Sequence, residues 1–212
     1  MAKRPIFVLL NQKPFVKVEF VEFEFYKGLC ISQKQKSIKS LHEAFLKIYP
    51  NEKVLEISSK SYEILGVNLS AFNLNFDFNG KKYPVESIFQ ASKVFEFAGP
   101  FLDILQKTPK DAKRDERLQN SGKLSGFEFF GDKFPLFPQT FFYDYLYVNA
   151  LFQNFQKFTQ IQNFTAFSDI EFNYKKSINC QARSACIFVA LLKLNLLQIA
   201  LKNKENFLKI VY

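Results

Sequence analysis

The sequence has little of the residues that build metal and disulfide sites. It contains no tryptophan and one histidine, His42, and its three cysteines are Cys30, Cys180 and Cys186. No two of them form a C-x-x-C pair, so the pattern argues against a structural zinc ion and against a disulfide framework. We therefore expect no metal and no other cofactor, and a reduced cytoplasm is the compartment that fits best.

Long hydrophobic runs are also missing. The most apolar segment, residues 185–201, is interrupted by Lys193, Asn195 and Gln198, so it falls well short of the roughly 20 apolar residues that a membrane span needs. The apolar run near the start of the chain is too short for a signal peptide. The sequence thus predicts a buried helix at 185–201 and no contact with a membrane.

The common catalytic motifs are absent as well. The chain has no G-x-G-x-x-G, no Walker loop, no H-E-x-x-H and no serine elbow. Hydride transfer, nucleotide hydrolysis and zinc proteolysis are therefore not expected.

What the chain has in excess is phenylalanine and positive charge. There are 28 phenylalanines, and 29 lysines and arginines stand against 20 aspartates and glutamates, which gives a net charge of +9. This charge favours a polyanionic partner such as nucleic acid, because each neutralised phosphate releases a counterion. A lysine-rich composition without functional meaning would give the same balance, so charge alone leaves both interpretations open.

Hydrophobic periodicity predicts a β-rich beginning. Apolar residues alternate over residues 15–25, but the phase slips by one between Phe20 and Val21, which predicts a β-bulge. Residues 72–84 alternate again and turn at Asn79-Gly80, the strongest short-range signal of a hairpin.

Helical patterns dominate the rest. An apolar stripe that includes Ile48 predicts a helix stopping at Pro50, and His42 beside the stripe is expected to be partly exposed rather than catalytic. A second helix follows Pro84 and ends at Gly99-Pro100. Thr108 caps a third that ends at Gly122, and two more are predicted over 139–158 and 179–201.

Together these patterns predict an α+β fold in a single domain, with a β-rich N-terminal part, a hairpin and a mostly helical body. No linker or composition break interrupts the chain. Within that domain we expect residues 1–68 to form a β/α extension that packs on a core of residues 69–212.

One polar row on the helix after Pro84 stands out. At about 100° per residue, Gln90 and Lys93 lie within roughly 40° of Glu86 around the helix, and Glu86 and Lys93 are about 10.5 Å apart along its axis. That is too far for an ion pair between neighbouring turns, but it suits two side chains that reach a sugar-sized ligand from two sides. The row is either a solvated edge or the wall of an active site, and spacing alone does not decide.

Several loops and helix ends offer groups that bind phosphate. Lys34, Lys36 and Lys60 lie in segments rich in serine and lysine, which suits contact with a nucleic-acid backbone. Asn179, Gln181 and Arg183 stand at the start of the last predicted long helix, and a helix N-terminus with an arginine is a good anion site. The residues expected to contact pyrophosphate or a nucleic-acid backbone are Arg183, Arg114 and Lys60.

Residues 69–122 resemble a known family. LSAF at 69–72, YPVESIFQASK at 83–93, and AKR at 112–114 followed by Gly122 are similar to the core pattern of the NADAR (NAD and ADP-ribose associated) family. With SQKQKSIKSLHEAF and LEISSKS upstream, the chain is most similar to the branch that accompanies DarT-type DNA ADP-ribosyltransferase toxins. The motif residues that match in order are Tyr83, Val85, Glu86, Phe89, Gln90, Ala91 and Lys93.

The resemblance implies an antitoxin N-glycosidase that removes ADP-ribose from guanine in DNA. Its partners would be ADP-ribosylated DNA, single-stranded or with the guanine flipped out, and the cognate transferase toxin. Relatives that act on riboflavin-pathway intermediates leave a small-molecule N-glycosidase as one alternative. A non-catalytic nucleic-acid- or toxin-binding protein is the other.

Carried over to this sequence, the resemblance implies Glu86, Lys93 and Asp169 as catalytic residues, with Glu171 as the rival of Asp169. The chain departs from the family pattern at Ala71, where the family has asparagine. The residues expected to bind substrate are Ser70, Phe72, Asn73, Tyr83, Gln90, Arg114, Asn179 and Arg183.

Two mechanisms follow for this set of residues. In the first, the amine of Lys93 captures a ring-opened imine of the sugar while Glu86 shuttles protons. In the second, Glu86 activates water for direct hydrolysis and Lys93 supplies only charge.

Overall fold

A computed structural model describes residues 1–28 and 30–212. Its strands are β1 (Ala2–Leu9), β2 (Val16–Phe23), β3 (Val54–Glu56), β4 (Asn75–Phe78), β5 (Lys81–Pro84), β6 (Lys93–Phe95), β7 (Leu124–Phe129), β8 (Asp132–Phe134) and β9 (Ala166–Ser168). Its helices are α1 (Ile31–Leu46), α2 (Ile64–Asn68), α3 (Val85–Ala91), α4 (Pro109–Lys113), α5 (Arg117–Asn120), α6 (Phe141–Gln153), α7 (Gln181–Lys193), α8 (Leu197–Ala200) and α9 (Lys204–Val211). Short 3-10 helices cover Leu102–Gln106, Phe155–Lys157 and Thr159–Asn163. The predicted α+β single domain is confirmed.

A four-stranded sheet pairs strands from the first 56 residues with β9, which comes much later in the chain. Its order is β2-β1-β9-β3, and β9 pairs antiparallel with β1 and parallel with β3. On one face, Ile38, Leu41 and Phe45 of α1 pack against Val21 and Phe23 of β2. The opposite face packs on the main core with α7. This sheet draws strands from both sides of residue 68, and the proposed division there stays a prediction.

The main core lies between the sheet and the helices α6 and α7, and aromatic rings fill much of it. Phe89 of α3 meets Tyr143 of α6 edge to face, with ring centroids 5.0 Å apart, and Phe127 of β7 stacks on Phe142 at 4.7 Å. Such geometries add to the free energy gained by burying the rings. The core therefore fixes α3 and β7 against α6, and these elements carry the cavity described below.

The helix predicted at 185–201 is buried, as expected, but it is divided into α7 and α8. Residues 194–196 form the break, where Asn195 adopts a positive φ of 57°. Among the helices of the described residues, none is both long enough and apolar enough to cross a bilayer.

The hairpin is confirmed. β4 and β5 pair antiparallel, and the turn between them has φ of 53° at Asn79 and 77° at Gly80. Two successive positive φ angles define a type I′ turn, which asparagine and glycine tolerate best.

The predicted bulge in β2 is wrong. β1 and β2 pair in one uninterrupted register along their whole lengths. Val21 is buried under α1, whereas Phe20 projects from the opposite face and packs edge-on against Tyr174. The phase slip thus marks a strand with apolar residues on both faces rather than an inserted residue.

The helix predicted to end at Pro50 is α1, which runs from Ile31 to Leu46. Ile48 lies beyond its end and is exposed rather than part of the buried stripe. His42 is half-buried on this helix, as predicted.

The helix after Pro84 is shorter than predicted, and the supposed helical row is wrong. α3 ends at Ala91, Ser92 is its C-cap, and the chain then enters β6. β6 pairs antiparallel with β7, so Lys93 lies opposite Phe127. Lys93 is therefore positioned by a strand thirty residues downstream and does not share a helical face with Glu86 and Gln90.

The single helix predicted from Thr108 to Gly122 is two short helices, α4 and α5. The cap is as expected, since Thr108 Oγ1 accepts the backbone N–H of Asp111 at 3.2 Å. The helix breaks because Asp115 Oδ1 accepts the backbone N–H of Arg117 at 3.1 Å, a local turn that competes with helical hydrogen bonding.

Candidate active site

A cavity of about 940 Å³ opens beside α3. Its walls come from α3, α4, the residues after β3, and the connection of residues 169–181 between β9 and α7. Phe89, Phe127 and Tyr143 give it an apolar side. The size lies within the roughly 300–1,000 Å³ of ligand pockets. Polar and charged side chains make up most of the rest of its lining.

Glu86 is the acid on the α3 wall. Its backbone N–H donates to the carbonyl of Ala71 at 2.9 Å, so the LSAF segment satisfies a free amide in the first turn of the helix. The side chain is only 8% exposed. Gln90 Nε2 donates to Glu86 Oε1 at 2.9 Å, and Lys113 Nζ lies 3.7 Å from the same oxygen. Gln90 thereby orients the carboxylate toward the cavity.

Lys93 lines the same cavity as Glu86. Its Nζ lies 5.0 Å from the centroid of the Phe89 ring. Burial lowers the pKa of Lys93, the nearby Glu86 carboxylate acts in the opposite direction, and the Lys113 ammonium lowers it further. Desolvation against an aromatic wall is the way in which a lysine becomes a usable nucleophile.

Asp169, in the connection between β9 and α7, is a buried acid that also lines the cavity. Its Oδ2 accepts Gln181 Nε2–H and its Oδ1 accepts the backbone N–H of Glu171, both at 2.9 Å. Burial, together with the charge of the neighbouring Glu56, raises the pKa of Asp169 to about 8. Glu171 differs, because its side chain is exposed and pairs with Lys34 Nζ at 3.0 Å.

Behind Asp169 lies Glu56, a buried carboxylate that the sequence analysis did not find. Glu56 Oε2 accepts the hydroxyl of Ser168 at 2.5 Å and Oε1 accepts the backbone N–H of Ile170 at 2.8 Å. Burial raises the pKa of Glu56 also. Since Ser168 gives its one hydrogen to Glu56, it must accept from His42 Nε2, 2.8 Å away. Burial lowers the pKa of His42 to about 4, so His42 is neutral here.

Gln181 was noted at the start of the last predicted long helix but was not among the predicted site residues. Its Nε2 donates to the carbonyl of Ile57 at 2.7 Å and to Asp169, while its Oε1 accepts the backbone N–H of Ala71 at 2.7 Å. This one amide ties β3, β9 and the LSAF segment together at the cavity wall. Its position at the start of α7 was the only available signal.

Two amide oxygens at the cavity have no hydrogen-bond partner in the described part of the chain. They are Gln90 Oε1 and Asn179 Oδ1, and both atoms are buried. An unpaired buried acceptor is costly. A small rotation of either side chain toward the cavity would let a ligand hydroxyl or N–H group donate to its oxygen.

The structure brings most of the predicted site residues to this cavity, although it does not test their roles. Arg183 is not among the lining residues, and its Nη1 contacts Asp144 and Thr140 Oγ1 instead. The other predicted residues outside the lining are Asn73, Tyr83, Lys34 and Lys36, and those that line it are Glu86, Lys93, Asp169, Ser70, Phe72, Gln90, Arg114, Asn179 and Lys60.

No group of three or more histidine, cysteine, aspartate or glutamate side chains is arranged to hold a metal ion within residues 1–28 and 30–212. Among the polar groups that line the cavity are a carboxylate with its amide, an amine with a lowered pKa, and a second acid with a raised pKa. Pairs of titratable groups whose pKa values are shifted in a cleft are typical of acid–base and nucleophilic chemistry.

Comparison with known families is consistent with this geometry. No curated protein matches the sequence. The family model described as DarT1-associated NADAR antitoxin matches residues 2–212, which is nearly the whole chain. The chain therefore belongs to the DarT1-associated NADAR antitoxin family, and its role is that of an antitoxin associated with a DarT1 toxin.

Proposed function

We propose that this antitoxin is an N-glycosidase that removes ADP-ribose from guanine in DNA and so reverses the action of its toxin. The observation that carries the proposal is the pairing of Glu86 and Lys93 at one cavity, with the pKa of Lys93 lowered by burial. The cavity is large enough for a nucleotide sugar. Membership of an antitoxin family supplies the biological setting.

In the mechanism that we favour, Lys93 is the nucleophile. The sugar joined to the exocyclic amine of guanine opens to an imine at C1′, and the uncharged amine of Lys93 adds to that carbon. The bond from C1′ to the guanine nitrogen then breaks, guanine leaves with a proton, and a new imine joins C1′ to Lys93. Water hydrolyses this imine, which frees ADP-ribose and regenerates the lysine.

Glu86 moves the protons in this sequence. It takes a proton from the Lys93 nitrogen once that nitrogen has added to C1′ and gives it to the departing guanine nitrogen. It then takes a proton from the water that attacks the second imine and returns it to the Lys93 nitrogen as ADP-ribose leaves, a general acid–base role. The hydrogen bond from Gln90 keeps the carboxylate in place, and Lys113 Nζ lies 3.7 Å from the same oxygen. Gln90 and Lys113 are thus positioning residues for Glu86.

Asp169 serves as a donor in our proposal. With a pKa of about 8 it holds its proton at neutral pH and can donate a hydrogen bond to a sugar oxygen. The free oxygens of Gln90 and Asn179 would accept from ribose hydroxyls or from the N–H edge of guanine.

Direct hydrolysis is the competing mechanism, and reductive trapping separates the two. Borohydride added during turnover reduces an imine on Lys93 to a stable amine, which adds the mass of the sugar nucleotide to the protein. The Lys93 mechanism predicts this adduct on the peptide that contains Lys93. If ADP-ribose is released but no adduct forms, the reaction is direct hydrolysis by water that Glu86 activates.

The proposed activity itself is tested by its products. An ADP-ribosylated single-stranded oligonucleotide incubated with the protein should yield the unmodified oligonucleotide and free ADP-ribose by mass spectrometry. An abasic oligonucleotide would mean that the wrong glycosidic bond is cut. Release from a small-molecule conjugate but never from DNA would favour the small-molecule alternative.

A further inference from the structure

Free cations surround the mouth of the cavity. Lys110 and Arg114 lie on and just after α4, Lys176 lies in the connection before α7, and Lys60 follows β3. Lys110, Arg114 and Lys176 are exposed, and Lys60 is half-buried. None of the four is in an ion pair with any residue that the structure describes. We call these four residues, with Phe72 and Phe137, the rim.

The two aromatic residues of the rim differ from most phenylalanines of this chain. Many rings pack on other rings in the core, as Phe89 does on Tyr143. Phe137, in the loop before α6, is 69% exposed and Phe72 is 38% exposed, and neither has an aromatic partner within the described ranges. Both line the cavity. Exposed rings at the entrance of a cleft are costly unless a partner covers them.

The three carboxylates that line the cavity do not cancel this positive charge. Glu171 is paired with Lys34, Glu86 is buried against Gln90 and Lys113, and Asp169 holds its proton at neutral pH. The rim therefore presents net positive charge together with the exposed ring of Phe137 and the partly exposed ring of Phe72, whose centroid lies 5.8 Å from Lys113 Nζ. Proteins that bind single-stranded nucleic acid without sequence preference combine these two features, because phosphates need cations and unpaired bases need a stacking surface.

We propose that the rim binds the single-stranded DNA on either side of the modified nucleotide, with bases stacked on Phe137 and Phe72 and phosphates held by Lys60, Lys110, Arg114 and Lys176. This inference rests on the proposed function, since it takes the occupant of the cavity to be part of a DNA strand. The strand crosses the mouth, and only the modified guanine and its ADP-ribose enter. A duplex would have to open first, because paired bases cannot reach either ring.

Fluorescence anisotropy with a labelled, unmodified thymidine oligonucleotide of about ten nucleotides tests the rim without relying on catalysis. Phe137→Ala should raise Kd by about 5- to 100-fold, the range expected for losing one base–aromatic stack. Lys176→Ala should raise Kd and reduce the slope of log Kd against log salt by about 0.7, the value for one phosphate contact to a single strand.

Two matched variants act as controls. Phe97 is 81% exposed and Lys202 is exposed, and neither lines the cavity. Phe97→Ala and Lys202→Ala should bind the oligonucleotide as the wild type does. The proposal is overturned if the rim variants bind like the wild type, or if the controls weaken binding equally. It is also overturned if the rim variants lose only their binding to the purified toxin, since the rim would then be a toxin interface.

The activity of the same variants separates this proposal from the proposed function. On ADP-ribosylated guanosine, which has no flanking strand, Phe137→Ala and Lys176→Ala should act as fast as the wild type, while KM for ADP-ribosylated oligonucleotide rises. If neither the wild type nor the variants release ADP-ribose but the rim variants still lose oligonucleotide binding, the proposed activity is wrong and the proposed role of the rim is supported. If the rim variants lose equal activity on ADP-ribosylated guanosine and on the oligonucleotide, the proposed role of the rim is contradicted.

Discussion

Lys93 is the residue whose charge state decides between the two mechanisms. Its amine lies against the Phe89 ring in a cavity wall, where burial lowers its pKa. A lysine in that setting can be a nucleophile, whereas an arginine is always charged. Replacing Lys93 by arginine therefore tests whether an uncharged amine is needed at this position.

Lys93→Arg should abolish activity if Lys93 forms the imine. We expect ADP-ribose release to fall by at least about 100-fold, because a guanidinium does not lose its proton near neutral pH. Lys113→Arg, which keeps a cation beside Glu86, should retain most of the rate. Melting curves show whether either variant is unfolded, and a folded Lys93→Arg protein with near-normal turnover would exclude the imine mechanism.

Asp169 makes stability depend on pH. Its pKa is about 8 in the folded chain but near the ordinary value when unfolded, so the folded state binds more protons between these values. The free energy of unfolding should therefore fall as pH rises through this range. His42, with a folded pKa of about 4, acts in the opposite direction below its ordinary pKa near 6.5, so the clearest window is pH 6.5 to 8.

Urea unfolding at pH 6.5 and pH 8 measures this effect. The wild type should lose roughly 2 kcal/mol across the window, at about 1.36 kcal/mol per pH unit. Asp169→Asn should flatten the dependence, while Glu22→Gln, a change at an exposed carboxylate of β2, should leave it as it is. A wild-type stability that is constant or rises over this window would show that Asp169 is ionised.

At the scale of elements, the close approach of α2 to β3 supports the acid pair. A Cβ added at Gly66 would lie 1.9 Å from the carbonyl oxygen of Glu56 and 2.5 Å from Ser61 Oγ. The first of these atoms is backbone and cannot rotate away. Gly66 is therefore required for β3 to hold Glu56 behind Asp169.

Gly66→Ala should destabilise the protein by about 3 kcal/mol, because the clash with backbone must push α2 and β3 apart. The control is Gly80→Ala in the hairpin turn, where nothing lies within 4 Å but φ is 77°. That variant should lose about 1 kcal/mol from backbone strain alone. Denaturant unfolding compares the two variants. Equal losses in the free energy of unfolding would mean that α2 and β3 are not in such close contact.

The elements that could be predicted from the sequence are those specified by nearby residues. The hairpin follows from Asn79-Gly80, and the burial of α7 follows from its run of apolar residues. The end of α3 could not be predicted, because β6 exists through pairing with β7. The helical spacing of apolar residues in the sequence can continue through residues that form a strand in the folded protein.

The candidate site shows the same division. Glu86 and Lys93 were found from one short motif, although the reason for their proximity was wrong. Glu56 was not found, and Gln181 was noted only at a helix start. Their importance lies in contacts such as Gln181 Nε2 to the Ile57 carbonyl, 124 residues apart in sequence. Only the assembled sheet brings these groups together.

At the scale of the whole molecule, β9 is the central feature. It lies between β1 and β3, so residues 166–168 are paired on both sides by the first 56 residues. The small core formed with α1 also draws on both regions, since Ala166 and Ile170 pack among residues of β1, β2 and α1. The chain should therefore fold as one cooperative unit.

Removing residues 1–68 tests this expectation. The fragment 69–212 leaves β9 without either neighbour, so we expect it to lack a cooperative melting transition and to be digested rapidly by protease, whereas the full chain unfolds in one step. A fragment that melts cooperatively and resists protease would instead establish residues 69–212 as an independent core.

The most direct test of the central claim is the single-turnover rate of ADP-ribose release from an ADP-ribosylated single-stranded oligonucleotide by the wild type and Glu86→Gln. Glutamine preserves the shape of the side chain and an oxygen that accepts from Gln90, but it cannot transfer a proton. We predict a rate lower by about 100- to 10,000-fold, with unchanged melting temperature and oligonucleotide affinity. Release by Glu86→Gln at the wild-type rate would contradict the assignment of this cavity as the active site.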